Sequence, residues 1–165
     1  MKRKRWPLLA LIIVLIMAGG ASYFKKVAFL QVKNMDRPKT LQFHIHPCET
    51  FSSFYIHSIY REPVIEEFQA NAGALALKGV RTRSPAVMEY YGFDDVKEFH
   101  PMDQKLGAIF ILKRGMVEGQ GLMIRQKKIY LSELGEKGDR IQIRVDSLPL
   151  GQYLYSRMLE KERWR

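Results

Sequence analysis

An uncharged, mostly apolar run near the amino terminus places the strongest constraint on this chain. It extends from residue 7 to residue 24, follows a basic cluster at residues 2–5, and ends before the two lysines at 25 and 26. Eighteen residues in a helix span about 27 Å at 1.5 Å each, which approaches the ~30 Å of a membrane hydrocarbon core. The sequence therefore predicts a single-pass membrane helix within residues 1–26.

The same segment is compatible with a cleaved signal peptide, because the small residues at 19–22 suit a signal peptidase. The sequence leaves open whether the chain is cut after Ala21. The basic cluster before the run is larger than the lysine pair behind it, so the amino terminus is expected in the cytoplasm. We therefore expect a protein of the cell membrane whose remaining domain is extracytoplasmic.

The charge that remains outside this segment does not favour nucleic acid as a partner. The whole chain has a formal net charge of +10, and six of its basic residues lie within residues 1–26, which contain no acidic residue. The rest of the chain is therefore only mildly basic, at +4, and a nucleic-acid interface usually carries a stronger excess. Its length suits one extracytoplasmic domain, which we place at residues 27–150.

Short segments separated by Asn, Asp, Pro or Gly predict β-strands through most of that domain. The spacings leave little room for crossover helices, so the strands are expected to be mainly antiparallel. The predicted fold is an all-β domain, a sandwich or a partly open barrel. The predicted strands are 27–32, 41–46, 53–60, 64–70, 74–80, 108–113, 121–126, 128–131 and 140–145.

Two segments depart from the strand pattern. Residues 84–99 show no sustained two-residue period and predict a loop with a helical turn. Residues 151–165 are rich in helix formers and contain neither Gly nor Pro after their first residue, which predicts a short C-terminal helix. Tyr90, Tyr91 and Phe93, in the first segment, are expected to be exposed and are candidate contacts for a protein partner.

Three histidines and the only cysteine of the chain fall within residues 43–58. His44 and His46 would project from one face of a strand, which makes them, together with Cys48, weak candidates for a metal site. We expect no metal there, because the sequence offers no clear third ligand, and we expect no cofactor. A lone cysteine also cannot form an intramolecular disulfide.

The predicted hairpin between strands 53–60 and 64–70 suggests a polar pair. A tight turn between the two strands would place His57 opposite Glu66, with Cβ atoms about 5 Å apart. We expect this pair to be structural, and a proton-linked switch or a catalytic dyad are the alternatives. Ser58 would then face the other side of the sheet from His57, which disfavours a nucleophile and base pair.

The hairpin also carries a motif of a His-Ser dipeptide, a Pro-Val dipeptide, a glutamate and an aromatic residue. Its members are His57, Ser58, Ile59, Pro63, Val64, Glu66 and Phe68. The motif resembles the signature of a small uncharacterised family, a domain of unknown function often encoded beside fused TRAP-transporter permeases. The resemblance extends from about residue 41 to residue 150 and departs at residues 84–92, where relatives tend to have a serine and a glycine-rich stretch.

The resemblance implies association with a TRAP-type permease. Together with the anchor and the compact β domain, it favours a non-catalytic, membrane-anchored accessory or binding protein. The alternative is a small extracytoplasmic hydrolase or metal-dependent enzyme. That enzyme would use His57 and Glu66, or else His44, His46 and Cys48.

Overall fold

The computed structural model of this chain describes residues 6–46, 48–71, 73–95 and 97–163. The basic cluster at residues 2–5, on which the expected orientation depends, lies outside the described residues. The helices are α1 (Trp6–Phe24), α2 (Pro85–Tyr90) and α3 (Leu150–Arg163). The strands are β1 (Lys26–Asn34), β2 (Thr40–His44), β3 (Glu49–Ile56), β4 (Pro63–Asn71), β5 (Ala74–Arg81), β6 (His100–Gly107), β7 (Ile109–Lys113), β8 (Gly121–Ile124), β9 (Lys127–Tyr130) and β10 (Arg140–Pro149).

The described chain divides into two compact units. One unit contains α1 and α3, and the other extends from residue 28 to residue 146. In the first unit α1 is a 19-residue helix of mean hydropathy 2.1, long and apolar enough to cross a membrane. The backbone N–H of Leu150 donates to the carbonyl of Lys25 at 2.7 Å, at the start of α3. The predicted N-terminal apolar helix and short C-terminal helix are thus both present.

The strands of the described chain form two sheets. In the six-stranded sheet, ordered β6-β5-β4-β3-β8-β9, every neighbouring pair is antiparallel. The four-stranded sheet has the order β2-β1-β10-β7, so that β7 forms one of its edges. The prediction of a mainly antiparallel β fold is confirmed, and the fold is a sandwich of two sheets.

The core of the sandwich is built by alternation on both sheets. Leu30 and Val32 of β1 are fully buried, and Phe51 and Phe68 of the six-stranded sheet belong to the same apolar cluster. Alternate residues of a strand face opposite sides, so these positions share the face that looks toward the other sheet. Burying each such side chain contributes about 1.5–3 kcal/mol, which makes this cluster the main source of stability.

A buried asparagine joins two distant loops of the domain. Asn34, at the end of β1, is 0% exposed and donates through Nδ2 to the carbonyl of Leu134 at 3.1 Å and to Asp139 Oδ2 at 2.8 Å. Its Oδ1 accepts from the backbone amides of Asp36 and Arg37. All the hydrogen-bonding groups of this amide are therefore used inside the domain, and the loop after β1 is tied to the segment before β10.

Candidate functional site

The β3–β4 hairpin has a different register from the one the sequence predicted. Ser53, not His57, lies opposite Glu66. The strand pairing ends where the amide of His57 donates to the carbonyl of Glu62 at 2.8 Å. A four-residue loop follows, closed by a hydrogen bond from the Arg61 amide to the His57 carbonyl, and Arg61 has a φ of 59°. This loop replaces the tight turn that we expected at residues 61 and 62.

The expected pair of His57 with Glu66 is therefore wrong. The two residues are offset by four positions in the actual register, and four residues of extended strand cover roughly 13 Å. The described contacts of Glu66 do not include His57. Because the shift is an even number of residues, both side chains still belong to the same face of the sheet. Ser58 is exposed in the loop, so the argument from opposite strand faces does not apply to it.

Glu66 occupies a position on the core face of a central strand. Val64, Phe68 and Ala70 alternate with it along β4, and all three are buried. Its neighbour Glu67 faces the other way and forms an ion pair with Arg81 at 2.6 Å. A carboxylate on the core face is costly unless its charge is compensated or used, so the surroundings of Glu66 are informative.

Three hydroxyl groups surround the Glu66 carboxylate. Ser53 Oγ donates to Oε2 at 2.9 Å, and Tyr91 Oη donates to Oε1 at 2.7 Å. Tyr55 Oη lies 3.4 Å from the same Oε1 and 2.6 Å from Tyr91 Oη. None of these donors carries a charge. Among the described contacts of Glu66 there is no lysine, arginine or histidine, so the negative charge is solvated by neutral groups alone.

Tyr91 reaches this carboxylate because of the short helix α2. Ser84 precedes the helix and its Oγ accepts from the Val87 amide, while Pro85 fills the first helical position, where no amide partner is needed. Val87 is buried and fixes the helix against the sheet. The helix ends at Tyr90, Tyr91 is its C-cap residue, and Gly92 then turns the chain with a φ of 83°. The cap and the turn therefore position the tyrosine.

His57 is buried between two aromatic rings. It is 6% exposed, stacks on Tyr60 with ring centroids 5.0 Å apart, and meets Tyr90 edge-on at 5.1 Å. The amide of Tyr60 donates to Nδ1 at 3.4 Å, which assigns the proton of the neutral ring to Nε2. Nε2 has no hydrogen-bond partner among the described residues, so it is a free donor.

These groups line an open cleft of about 830 Å³. Glu66 is the only carboxylate among the described lining residues, and Arg61 is the only lysine or arginine. Much of the remaining wall is aromatic. The aromatic members other than His57 are Tyr55, Phe68, Tyr90, Tyr91 and Phe110. The cleft therefore combines a polar centre with walls that suit the carbon skeleton of a small molecule.

Burial and the nearby carboxylate both hold the two central tyrosines in the protonated form. Burial is the larger cause and the charge of Glu66 the second, and together they raise the pKa of Tyr55 to about 12. The same two causes raise the pKa of Tyr91 well above its ordinary value. Tyr91 therefore donates its proton to Glu66 over the whole physiological pH range. Because each hydroxyl has one proton, Tyr55 is the donor in the 2.6 Å hydrogen bond to Tyr91 Oη.

We expect Tyr55 and Tyr91 to ionise together with unfolding at alkaline pH. An unfolded tyrosine ionises near pH 10. The unfolded state therefore releases these protons first, and stability falls as the pH rises from about 10 toward 12. In an alkaline titration followed by tyrosinate absorbance, one group of tyrosines should ionise only as the protein unfolds. Tyr55→Phe and Tyr91→Phe should each reduce the amplitude of that transition by one tyrosine. If a substitution instead reduces the absorbance change that precedes unfolding, the replaced tyrosine ionises in the folded protein and the assignment is wrong.

The weak metal candidates lie away from the cleft. The rings of His44 and His46 meet edge-on with centroids 5.0 Å apart, and both residues are exposed. Cys48 is exposed, with a φ of 62°. Within the described residues no group of three or more His, Cys, Asp or Glu side chains is placed to hold a metal ion. His44, His46 and Cys48 therefore do not form part of a metal-binding group among the described residues.

The aromatic residues expected to contact a partner do not share one exposed surface. Tyr90 is 65% exposed, whereas Tyr91 and Phe93 are partly buried. Tyr91 turns toward Glu66, and the ring of Phe93 lies 4.4 Å from that of His100. The expectation of exposure is wrong for these two residues, because their rings pack against the sandwich. Tyr90 is the member that a partner could reach most directly.

The residues of the hairpin motif have distinct structural roles. Pro63 begins β4, and Val64 and Phe68 are each 1% exposed in the core. The motif thus fixes the strand that presents Glu66. The sequence singled out Glu66 and His57, but as a cross-strand pair that the register does not form. It gave no sign of Ser53, Tyr55 or Tyr91 as partners, although alternation along the predicted strand places Ser53 and Tyr55 on one face.

Comparisons of this chain with models of protein families, with curated proteins and with solved structures found no match. The fold and the site therefore define the class of protein directly. It is an antiparallel β-sandwich with an N-terminal apolar helix and a cleft whose polar centre is a single carboxylate.

Proposed function

We propose that this protein is a non-catalytic, membrane-anchored binding protein that assists a transport system at the outer face of the membrane. The observation that carries the proposal is the Glu66 carboxylate, which faces an open cleft and, among its contacts with the described residues, receives hydrogen bonds only from neutral hydroxyls. A charge on the core face of a central strand lowers stability unless it is compensated. Such a group is expected where function requires it.

The anchor supports the same proposal. Helix α1 can hold the chain in the membrane, and the basic cluster at residues 2–5 favours a cytoplasmic amino terminus. A domain tethered in the plane of the membrane meets an integral partner at a high effective concentration, so a weak interface is sufficient. We propose a TRAP-type permease as that partner, on the basis of the motif that contains His57, Ser58 and Glu66.

The contacts in the cleft argue against the hydrolase alternative. A serine nucleophile needs a base within hydrogen-bond reach and access to substrate. Ser53 bonds to Glu66 but is buried, and the exposed Ser58 has no described hydrogen bond to His57. The dyad of His57 with Glu66 is not formed either. Binding therefore accounts for this set of residues better than nucleophilic catalysis does.

Solute uptake in cells that lack the gene tests the proposed function. We expect uptake of at least one solute in a panel of labelled amino acids, polyamines and carboxylic acids to fall on deletion and to recover with the full chain. Unchanged uptake across the panel, together with ester hydrolysis that His57→Ala abolishes, would contradict the proposal and favour the enzyme.

The same cells provide a control for orientation. Cys48 is the only cysteine of the chain and is exposed, so a membrane-impermeant maleimide should label it from outside the cytoplasmic membrane. The Cys48→Ser variant supplies the background. Labelling that requires permeabilised membranes would place the domain in the cytoplasm and overturn the proposed arrangement.

A further inference from the structure

The Glu66 carboxylate can accept more hydrogen bonds than its hydroxyl neighbours donate. A carboxylate offers about four acceptor positions. Ser53 and Tyr91 donate to two of them, whereas Tyr55 gives its one proton to Tyr91 Oη. The carboxylate can therefore accept at least one further hydrogen bond from a group in the cleft. The donor that would satisfy both the open position and the charge is a cationic N–H group.

The walls around this carboxylate have the matching character. The faces of aromatic rings carry negative potential and attract cations within about 6 Å of the ring centroid. Tyr55, Tyr90 and Tyr91 all line the cleft. Tyr55 and Tyr91 contact Glu66 and each other, while the ring of Tyr90 meets those of Tyr91 and His57 edge-on. A carboxylate flanked by fixed aromatic rings suits an ammonium group attached to a carbon skeleton.

A metal ion fits these residues poorly. Calcium and magnesium take six or more oxygen ligands and usually several carboxylates. Glu66 is the only carboxylate among the described lining residues. Neutral tyrosine hydroxyls are weak metal ligands, and both Tyr55 and Tyr91 keep their protons here. These residues therefore suit an organic cation better than a metal ion.

The size of the cleft and its second polar end limit the ligand further. About 830 Å³ lies within the range of roughly 300–1,000 Å³ that is usual for small-molecule sites. His57, with its free Nε2–H, and Arg61 also line the cleft. His57 is offset from Glu66 by four strand positions, so an acceptor group elsewhere on the ligand can be accommodated.

We propose that this cleft binds small organic ammonium ions. The ammonium group donates to the open position on Glu66, and the carbon skeleton lies against Tyr55, Tyr90 and Tyr91. The inference rests on the proposed binding function and names the class of ligand. Plain amines and zwitterionic amino acids share the ammonium group, and the test below separates these two sources.

Benzylammonium and benzyl alcohol form a matched pair of probes, because they share a skeleton and differ in charge. Binding to the full chain in nanodiscs can be measured from chemical-shift changes of the tyrosine rings. We expect the wild-type protein to bind benzylammonium at least tenfold more tightly than the alcohol. Glu66→Gln should lower the affinity for the ammonium at least tenfold and change that for the alcohol less than about twofold.

Glu67→Gln is the matched control, since Glu67 is adjacent in the chain but faces the opposite side of the sheet and pairs with Arg81. It should bind both probes like the wild type. Phenylalanine, as a zwitterion, should compete with benzylammonium if the natural ligand is an amino acid, and failure to compete assigns the site to plain amines. Both outcomes support an ammonium site.

Equal binding of the two probes by the wild-type protein, or no binding of either, would overturn the inference without need of any variant. So would a folded Glu66→Gln protein that keeps its affinity for benzylammonium. These results are independent of uptake. If the protein binds benzylammonium but its deletion leaves uptake unchanged, the ammonium site is supported and the transport role is refuted. If deletion alters uptake but the protein does not bind benzylammonium, only the proposed class of ligand is refuted.

Discussion

Replacing Asn34 with alanine is expected to lower the free energy of unfolding by about 3 kcal/mol or more. The change removes four hydrogen bonds at a fully buried position. It leaves the buried carbonyl of Leu134 without its partner, which costs about 1–3 kcal/mol. It also removes the hydrogen bonds from the amides of the exposed residues Asp36 and Arg37, each worth about 0.5–1.5 kcal/mol. Urea unfolding of the full chain in detergent, followed by circular dichroism, measures the effect.

Lys33→Ala is the control for this prediction. Lys33 precedes Asn34 on β1 and is exposed, so its truncation should change stability by less than about 0.5 kcal/mol. Similar losses for the two variants would show that the amide of Asn34 does not tie the loops together.

Phe68→Ala should lower the free energy of unfolding by about 3–5 kcal/mol, the usual cost of removing a buried aromatic side chain. Phe68 is 1% exposed and touches both sheets. It stacks on Phe51 of β3, with centroids 5.3 Å apart, and meets Phe110 of β7 at 5.6 Å. Its removal therefore opens a cavity between the sheets, next to the cleft that contains Glu66.

The neighbouring Gln69 provides the comparison, because it alternates with Phe68 on β4 and points away from the core. Gln69→Ala loses two hydrogen bonds, one to the carbonyl of Cys48 and one from Asn71 Nδ2, and should cost less than about 2 kcal/mol. If Phe68→Ala costs no more than Gln69→Ala in the same unfolding experiment, the two sheets do not depend on this ring.

Much of the fold could be predicted because its signals are local. The apolar run of α1 and the alternation in β10 are visible in short windows of sequence. Strand β6, His100–Gly107, was missed because its sequence HPMDQKLG is polar and shows no alternation. It is an edge strand, held by backbone pairing with β5, and side-chain pattern carries little information about such a strand.

The site was only partly predictable for two physical reasons. The register of the β3–β4 hairpin depends on a loop in which Arg61 adopts a positive φ. This conformation is uncommon for arginine and cannot be predicted from the residue type. Tyr91 meets Glu66 across 25 positions of chain, through the end of α2. The sequence could mark a glutamate and a histidine as unusual, but the partners of that glutamate are set by tertiary contacts.

Strand β7 presents an exposed apolar edge, which predicts where this protein would aggregate. Among the described strands its only hydrogen-bonded neighbour is β10, and Ile109 and Ile111 are 46% and 49% exposed on it. An apolar strand with an unpaired edge can act as a template for fibrils or inclusion bodies. Lysine and proline residues commonly prevent such pairing on the edge strands of natural proteins. Lys113 is the one charged residue of β7. Ordered self-association at high concentration is therefore expected to begin with the residues that precede this lysine.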